Sequence, residues 1–259
     1  MVKKLNVIIS VIKITHLFEL FMKNLFIICF AILVALNTGK VNGQNDSSFM
    51  DLKLHYDSLY GMDPNLYNGI RYFPEHPQAR GFPFWKEDNA MMAEIVLSGI
   101  HYKNLKIRYD LDSQDFILEY HDQFGGLQQL IINRTKIDTV LMNESLFVKN
   151  KFDGIKEFFI QVIYEGKISC YYTFKKEYRF NNSAIQTGYE YSDEIIHQYV
   201  VRDGKAFVFN NKNSFLKIFE EEKRKPIKKY MKDNRIKIRK KIQSKMINLC
   251  EFCSKPDSE

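Results

Sequence analysis

Few residues in this chain could do chemistry, and each sits in a pattern that also admits a structural role. Cys250-Glu251-Phe252-Cys253 is a CxxC pair. Redox work by such a pair needs a thiolate, which a helix N-terminus favours by lowering the thiol pKa. Here the pair falls at the C-terminal end of a helical pattern, where the dipole acts in the opposite sense. Zinc would need two further ligands, and the sequence has neither a second CxxC nor a close His pair. Two readings remain: small residues on an apolar helical stripe or, in an oxidising compartment, a Cys250–Cys253 disulfide. Cys170 falls in a strand pattern and is expected in the core.

Asp110, Asp112 and Asp115 spell DxDxxD, a weak cation-binding pattern. It lacks the Gly and the distal Glu of an EF-hand loop, and aspartate is equally common in hairpin turns. His121-Asp122 could form an oriented base, but no Ser or Cys nucleophile in a recognisable context accompanies it. GxSxG, HExxH, GxGxxG and a phosphate-binding glycine loop are all missing, so no cofactor is expected.

The most distinctive stretch runs from Tyr67 to Trp85, with six aromatics and three prolines in nineteen residues and the only tryptophan at its end. Such rings could line a groove for a sugar, a lipid or a peptide. Tyr72, Phe82, Phe84 and Trp85 would then be its walls and Arg80 its polar contact. Alternatively the rings plug one end of a sheet and the prolines stiffen the route.

The scaffold that must hold these residues reads as strands. From about 67 to 210 the pattern alternates with period two between short turns. Leu105, Ile107, Tyr109 and Leu111 are expected on one face, with Lys106, Arg108 and Asp110 on the other. Strands are also expected at 91–98, 116–120, 127–133, 135–141 and 145–149. Residues 156–164 and 167–178 should form a hairpin across Glu165-Gly166, and 195–201 should pair with 205–209 across Asp203-Gly204. The fold class is mainly β: an antiparallel meander forming a sandwich, a barrel or a strongly curved sheet, followed by C-terminal α-helices.

Residues 211–254 switch to helical period. Asn213 or Ser214 is the expected cap, Phe215, Leu216, Ile218 and Phe219 the first apolar stripe, and Pro226 fits the first turn of a second helix. Ile242, Met246, Leu249, Cys250 and Cys253 share a stripe on the last one.

The N-terminus carries a targeting signal. Leu25–Leu36 is a twelve-residue uncharged apolar run, short of the roughly 20 that span a membrane. Met22-Lys23-Asn24 precedes it as a basic n-region, and Val41-Asn42-Gly43 offers a cleavage site before Gln44. Translation is then expected to begin at Met22, with 1–43 as leader and 44–66 as a loose linker; an uncleaved anchor is the rival reading. The chain has a net charge of +7, but the leader carries +4 of it. Residues 217–245 hold thirteen Lys and Arg against four Asp and Glu, so the rest of the mature chain is acidic. Those cations either decorate the outer face of packed helices or meet an anionic partner.

The series Tyr67-x-Gly69-x-x-Tyr72, Gly81-Phe82-Pro83-Phe84-Trp85, Tyr102-x-Asn104-Leu105, Tyr109-Asp110-Leu111 and Asp203-Gly204-Lys205 resembles an uncharacterised group of exported proteins from Bacteroidota-type bacteria. Ser214-Phe215-Leu216-Lys217 and the basic helices after it are similar too. The resemblance implies a periplasmic or outer-envelope location and transfers no catalytic residue. The expected function is a non-enzymatic envelope protein that binds another envelope protein or an anionic membrane surface. The alternative is a carrier or enzyme enclosing a small apolar or sugar ligand in the curved sheet beneath residues 67–85. Nucleic acid becomes a partner only if export is wrong.

Overall fold

Alternation sets the strands and turn chemistry sets where each one reverses. The structure is a computed structural model and describes residues 63–122, 124–183 and 187–255. The leader, its cleavage position and linker residues 44–62 lie outside the described residues. The strands are β1 (Ile70–Arg71), β2 (Met91–Leu97), β3 (Ile100–Asp110), β4 (Asp115–His121), β5 (Leu127–Ile131), β6 (Ile137–Met142) and β7 (Ser145–Lys149). They continue as β8 (Phe159–Tyr164), β9 (Ser169–Lys175), β10 (Tyr178–Asn182), β11 (Thr187–Tyr191), β12 (Ile195–Arg202) and β13 (Lys205–Phe209). The helices are α1 (Pro64–Tyr67), α2 (Lys212–Leu216), α3 (Glu221–Asp233) and α4 (Gln243–Ser254), with a single 3-10 turn at Ile238–Lys240 between the last two.

Eleven strands form one sheet in the order β1-β5-β4-β3-β2-β6-β7-β8-β9-β12-β13, and β10–β11 is a separate hairpin. The mainly β, antiparallel meander followed by helices is therefore observed. The sheet is not closed: β1 and β13 are its edges. Three hairpins reverse through two residues that both take positive φ, Ser98-Gly99, Asn143-Glu144 and Asp203-Gly204. Such turns match the right-handed twist of the strands they join.

The sheet is nonetheless folded over on itself. Ile132 donates its N–H to the Phe116 carbonyl, and four residues later the Lys136 carbonyl accepts from Ser98. Phe116 pairs with Tyr109 near one end of β3, while Ser98 turns into its other end. Along a straight β3 those points are about 30 Å apart, whereas residues 132–136 reach only about 17 Å. The bend sits at Asn104, with φ 56°, where the β2–β3 register shifts by one residue. The two halves then face each other. Rings far apart in strand order meet across the gap: Phe116 and Phe159 at 4.8 Å, Tyr109 and Phe147 at 5.4 Å.

Ile107, Tyr109 and Leu111 are buried on the inner face as alternation demands, with Leu105 partly buried beside them. Two departures follow from the fold. Tyr102 is buried out of phase, because the extra residue at the bend reverses the alternation. Asp110 is buried on the supposedly polar face, because the segment carrying Tyr72 and Phe84 covers it.

The helices complete the same core. Phe215, Phe219, Ile227, Met231, Met246, Leu249 and Cys250 join the sheet's inner residues in one apolar cluster. Four details differ from expectation. The cap of α2 is Asn211, not Asn213 or Ser214: its side chain accepts from Ser214 N–H while Ser214 Oγ accepts from Asn211 N–H, a reciprocal box. Pro226 stands inside α3, because the helix starts five residues earlier at Glu221, where Glu221 and Glu222 complement the dipole. Ile242 precedes α4 and is exposed. Leu66, within the expected linker, is buried in the core, so the packed body already includes α1.

Candidate functional site

Of the aromatic segment, three rings are committed to packing. Trp85 is 1% exposed, with edge-on contacts to Phe147 at 5.0 Å and Phe174 at 5.7 Å. Its backbone N–H donates to Tyr109 O, which anchors the segment to β3. Tyr72 and Phe84 pack with Ile117 on the opposite side of the sheet. The Tyr72 hydroxyl donates to Asp110 Oδ2 at 3.2 Å, and burial together with that carboxylate pushes the phenol pKa up. Phe82 is half-buried: Lys176 Nζ lies 4.0 Å over its ring and donates to its carbonyl at 2.9 Å. It borders an open pocket of about 340 Å³ shared with Lys86, Lys176, Tyr191 and Glu194. Arg80 is exposed, 3.6 Å from Glu190, and its backbone pairs with β11. The five residues do not converge on one space.

The three aspartates of DxDxxD also separate. Asp110 Oδ1 accepts from the N–H groups of Asp112 and Ser113, so it builds the β3–β4 turn. Asp115 pairs with Arg134 at 3.2 Å, yet burial outweighs that cation and raises its carboxyl pKa. Asp112 turns toward Glu75 and His76, and burial and then repulsion from Asp110 and Glu75 raise its pKa.

All three described cysteines are free thiols. Cys250 is fully buried and its thiol contacts Cys170 of β9 rather than Cys253; that hydrogen bond and burial push its pKa well up. Burial, with Cys250 nearby, pushes the Cys253 thiol up to about 12. Neither is an activated thiolate. Asp122 orders the turn before β5, accepting from Gln128 Nε2, Gly126 N–H and Phe124 N–H, and these bonds lower its pKa.

The C-terminal segment makes a different kind of site. Beyond α3, the Ile236 N–H returns to Met231 O, and the chain extends with Ile236 and Ile238 turned into the core. Alternation then leaves Lys237 and Arg239 exposed, with Lys240 beside them. On the facing side, buried Phe215 fixes α2 so that Lys212 and Lys217 border the same space. The result is a groove of about 760 Å³ lined by Lys212, Lys217, Lys237, Arg239 and Lys240, with Asn211, Asn213 and Ser214 as further polar groups and no acidic residue among the described residues that line it. None of the five cations has an ion-pair partner among the described residues. No protein-family model, curated protein or solved structure matches this chain. What the groove can do follows from its own chemistry: it concentrates positive potential in a concave surface, where an anion is favoured.

Nine of the thirteen cations in 217–245 are exposed. On α3, Lys225, Lys228, Lys229 and Lys232 fall at i, i+3, i+4 and i+7, a stripe turned away from Ile227 and Met231. The basic composition was legible from the sequence; the groove was not. It joins residues some twenty positions apart, and only the packing of Phe215, Ile236 and Ile238 brings them together.

Proposed function

We propose that this is an exported, non-enzymatic envelope protein that attaches peripherally to an anionic membrane surface through its C-terminal cations. The groove lined by five Lys and Arg side chains that have no ion-pair partner among the described residues carries this reading. The stripe of four lysines on α3 adds to it. Each cation near an anionic bilayer surface contributes on the order of 1 kcal/mol, so a subset of the nine exposed ones is enough for reversible attachment. The resemblance to exported Bacteroidota-type proteins and the signal-like segment ahead of Gln44 support an envelope location.

Co-sedimentation with phosphatidylglycerol-containing vesicles tests it. Binding should fall steeply as salt screens the charges and should weaken when Lys237, Arg239 and Lys240 are replaced together by Gln. Equal binding to neutral vesicles, or binding insensitive to salt, would overturn it. One observation favours the alternative of a small-ligand carrier: the pocket of about 340 Å³ beside Phe82. Against it, the space between the folded sheet halves is filled by Trp85, Tyr109, Phe116, Phe147 and Phe159. Native mass spectrometry decides, since a carrier holds extra mass that leaves on denaturation.

A further inference from the structure

We infer that Glu75, His76 and Asp112 form a binding site for a first-row divalent metal ion. One ligand atom from each lies within 4.8 Å of the other two, the only such trio of His, Cys, Asp or Glu among the described residues. In a filled site, metal–ligand bonds of about 2.0–2.2 Å place neighbouring donors roughly 3–3.5 Å apart. Small side-chain rotations close the difference.

The three groups come from two distant segments, and other parts of the fold hold Asp112 and His76. Asp112 sits in the β3–β4 turn, whose backbone is tied to Asp110 Oδ1 at 2.9 and 3.1 Å. Asp110 is itself held by the Tyr72 hydroxyl. His76 stacks flat on Tyr178 of β10, with ring centroids 3.5 Å apart and planes 10° from parallel. The segment after it is clamped to β11, where Arg80 N–H donates to Tyr189 O and Tyr191 N–H donates to Arg80 O. Rigid outer contacts of this kind orient metal ligands.

The charge around the trio calls for a cation. Glu75, Asp112 and the adjoining Asp110 make no ion pair among the described residues. Lys175, which lies near enough to act on Asp112, is engaged by Glu177 at 2.9 Å. The chemistry of the donors selects the metal. An imidazole nitrogen with two carboxylates and no thiolate suits Zn2+ or Mn2+ better than Ca2+ or Cu+. Glu75 is exposed and the other two are half-buried, so water can complete the coordination shell. The bound ion would link the Pro74–Arg80 loop to the β3–β4 turn and the β10–β11 hairpin.

Isothermal titration of the chain beginning at Gln44 with Zn2+, and separately with Mn2+, tests the site. We expect one saturable equivalent of at least one metal and a rise in melting temperature on binding. His76→Ala and Asp112→Asn should each weaken binding about tenfold or more, the penalty that even an outer partner of a metal ligand carries. His101→Ala, which alters the separate exposed His101–Glu94 pair, should leave it unchanged. With Mn2+, electron spin-echo modulation should show an imidazole nitrogen in wild type and not in His76→Ala. No saturable binding of either metal, or unchanged affinity in His76→Ala, would overturn the assignment. Vesicle attachment through the C-terminal cations is read separately and would be unaffected by either result.

Discussion

Replacing Trp85 separates a ring that plugs the fold from one that waits for a ligand. It is 1% exposed and wedged between Phe147 and Phe174, with Lys86 Nζ 4.1 Å over its face. Truncating a buried Trp to Ala costs about 3–5 kcal/mol in lost transfer energy and residual cavity. Trp85→Phe is a different perturbation. It keeps an aromatic ring against both neighbours and removes the indole N–H, which is buried without an acceptor. Relief of that unsatisfied donor offsets about 1–3 kcal/mol of the lost packing, so the net change should stay within about 1 kcal/mol. With a urea m-value of about 2 kcal/mol/M, Trp85→Ala should lower the unfolding midpoint by about 1.5–2.5 M and Trp85→Phe by less than about 0.5 M. Far-UV circular dichroism is the assay, because each variant lacks the only tryptophan. An unchanged midpoint in Trp85→Ala would refute the plug. Equal losses in the two variants would refute the packing role given to an aromatic ring between Phe147 and Phe174.

Two further outcomes are expected. Asn104 takes φ 56° at the bend in β3, so Asn104→Val should destabilise by about 1–2 kcal/mol while Asn104→Gly stays near neutral in the same urea assay; equal effects would remove the bend as the reason. Burial acts to raise the Glu119 pKa, but hydrogen bonds from Arg108 at 2.7 Å and Gln129 at 3.2 Å outweigh it and hold the carboxyl below its ordinary value. A carboxyl held low in the folded state stabilises the protein above its unfolded pKa, and that contribution is lost as pH falls through the folded one. Wild type should therefore exceed Glu119→Gln by about 1.5–3 kcal/mol near pH 7, and the gap should narrow as pH falls below the ordinary glutamate value of about 4.3. A gap independent of pH would show that the charge is not responsible.

Local chemistry in the sequence determined most strand positions, the Asp203-Gly204 hairpin and the basic character of the last helices. Those features need only neighbouring residues: alternation marks a half-buried strand, and a positive-φ pair marks its reversal. The β10–β11 hairpin was less legible, because Tyr178, Phe180, Tyr189 and Tyr191 alternate among Asn, Ser, Thr and Gly and face one another and the His76 loop instead of the main core. Neither the DxDxxD run nor the CxxC pair revealed its own arrangement. Side chains close in sequence there point to different places: Asp112 goes to Glu75 and His76, Asp115 to Arg134, and Cys250 to Cys170. The groove likewise exists only once Phe215, Ile236 and Ile238 are buried together. Alternation is a property of the chain, but which faces meet depends on how the sheet folds. That is set by strand irregularities such as the bend at Asn104 and by aromatic contacts between strands remote in sequence, which no local pattern encodes.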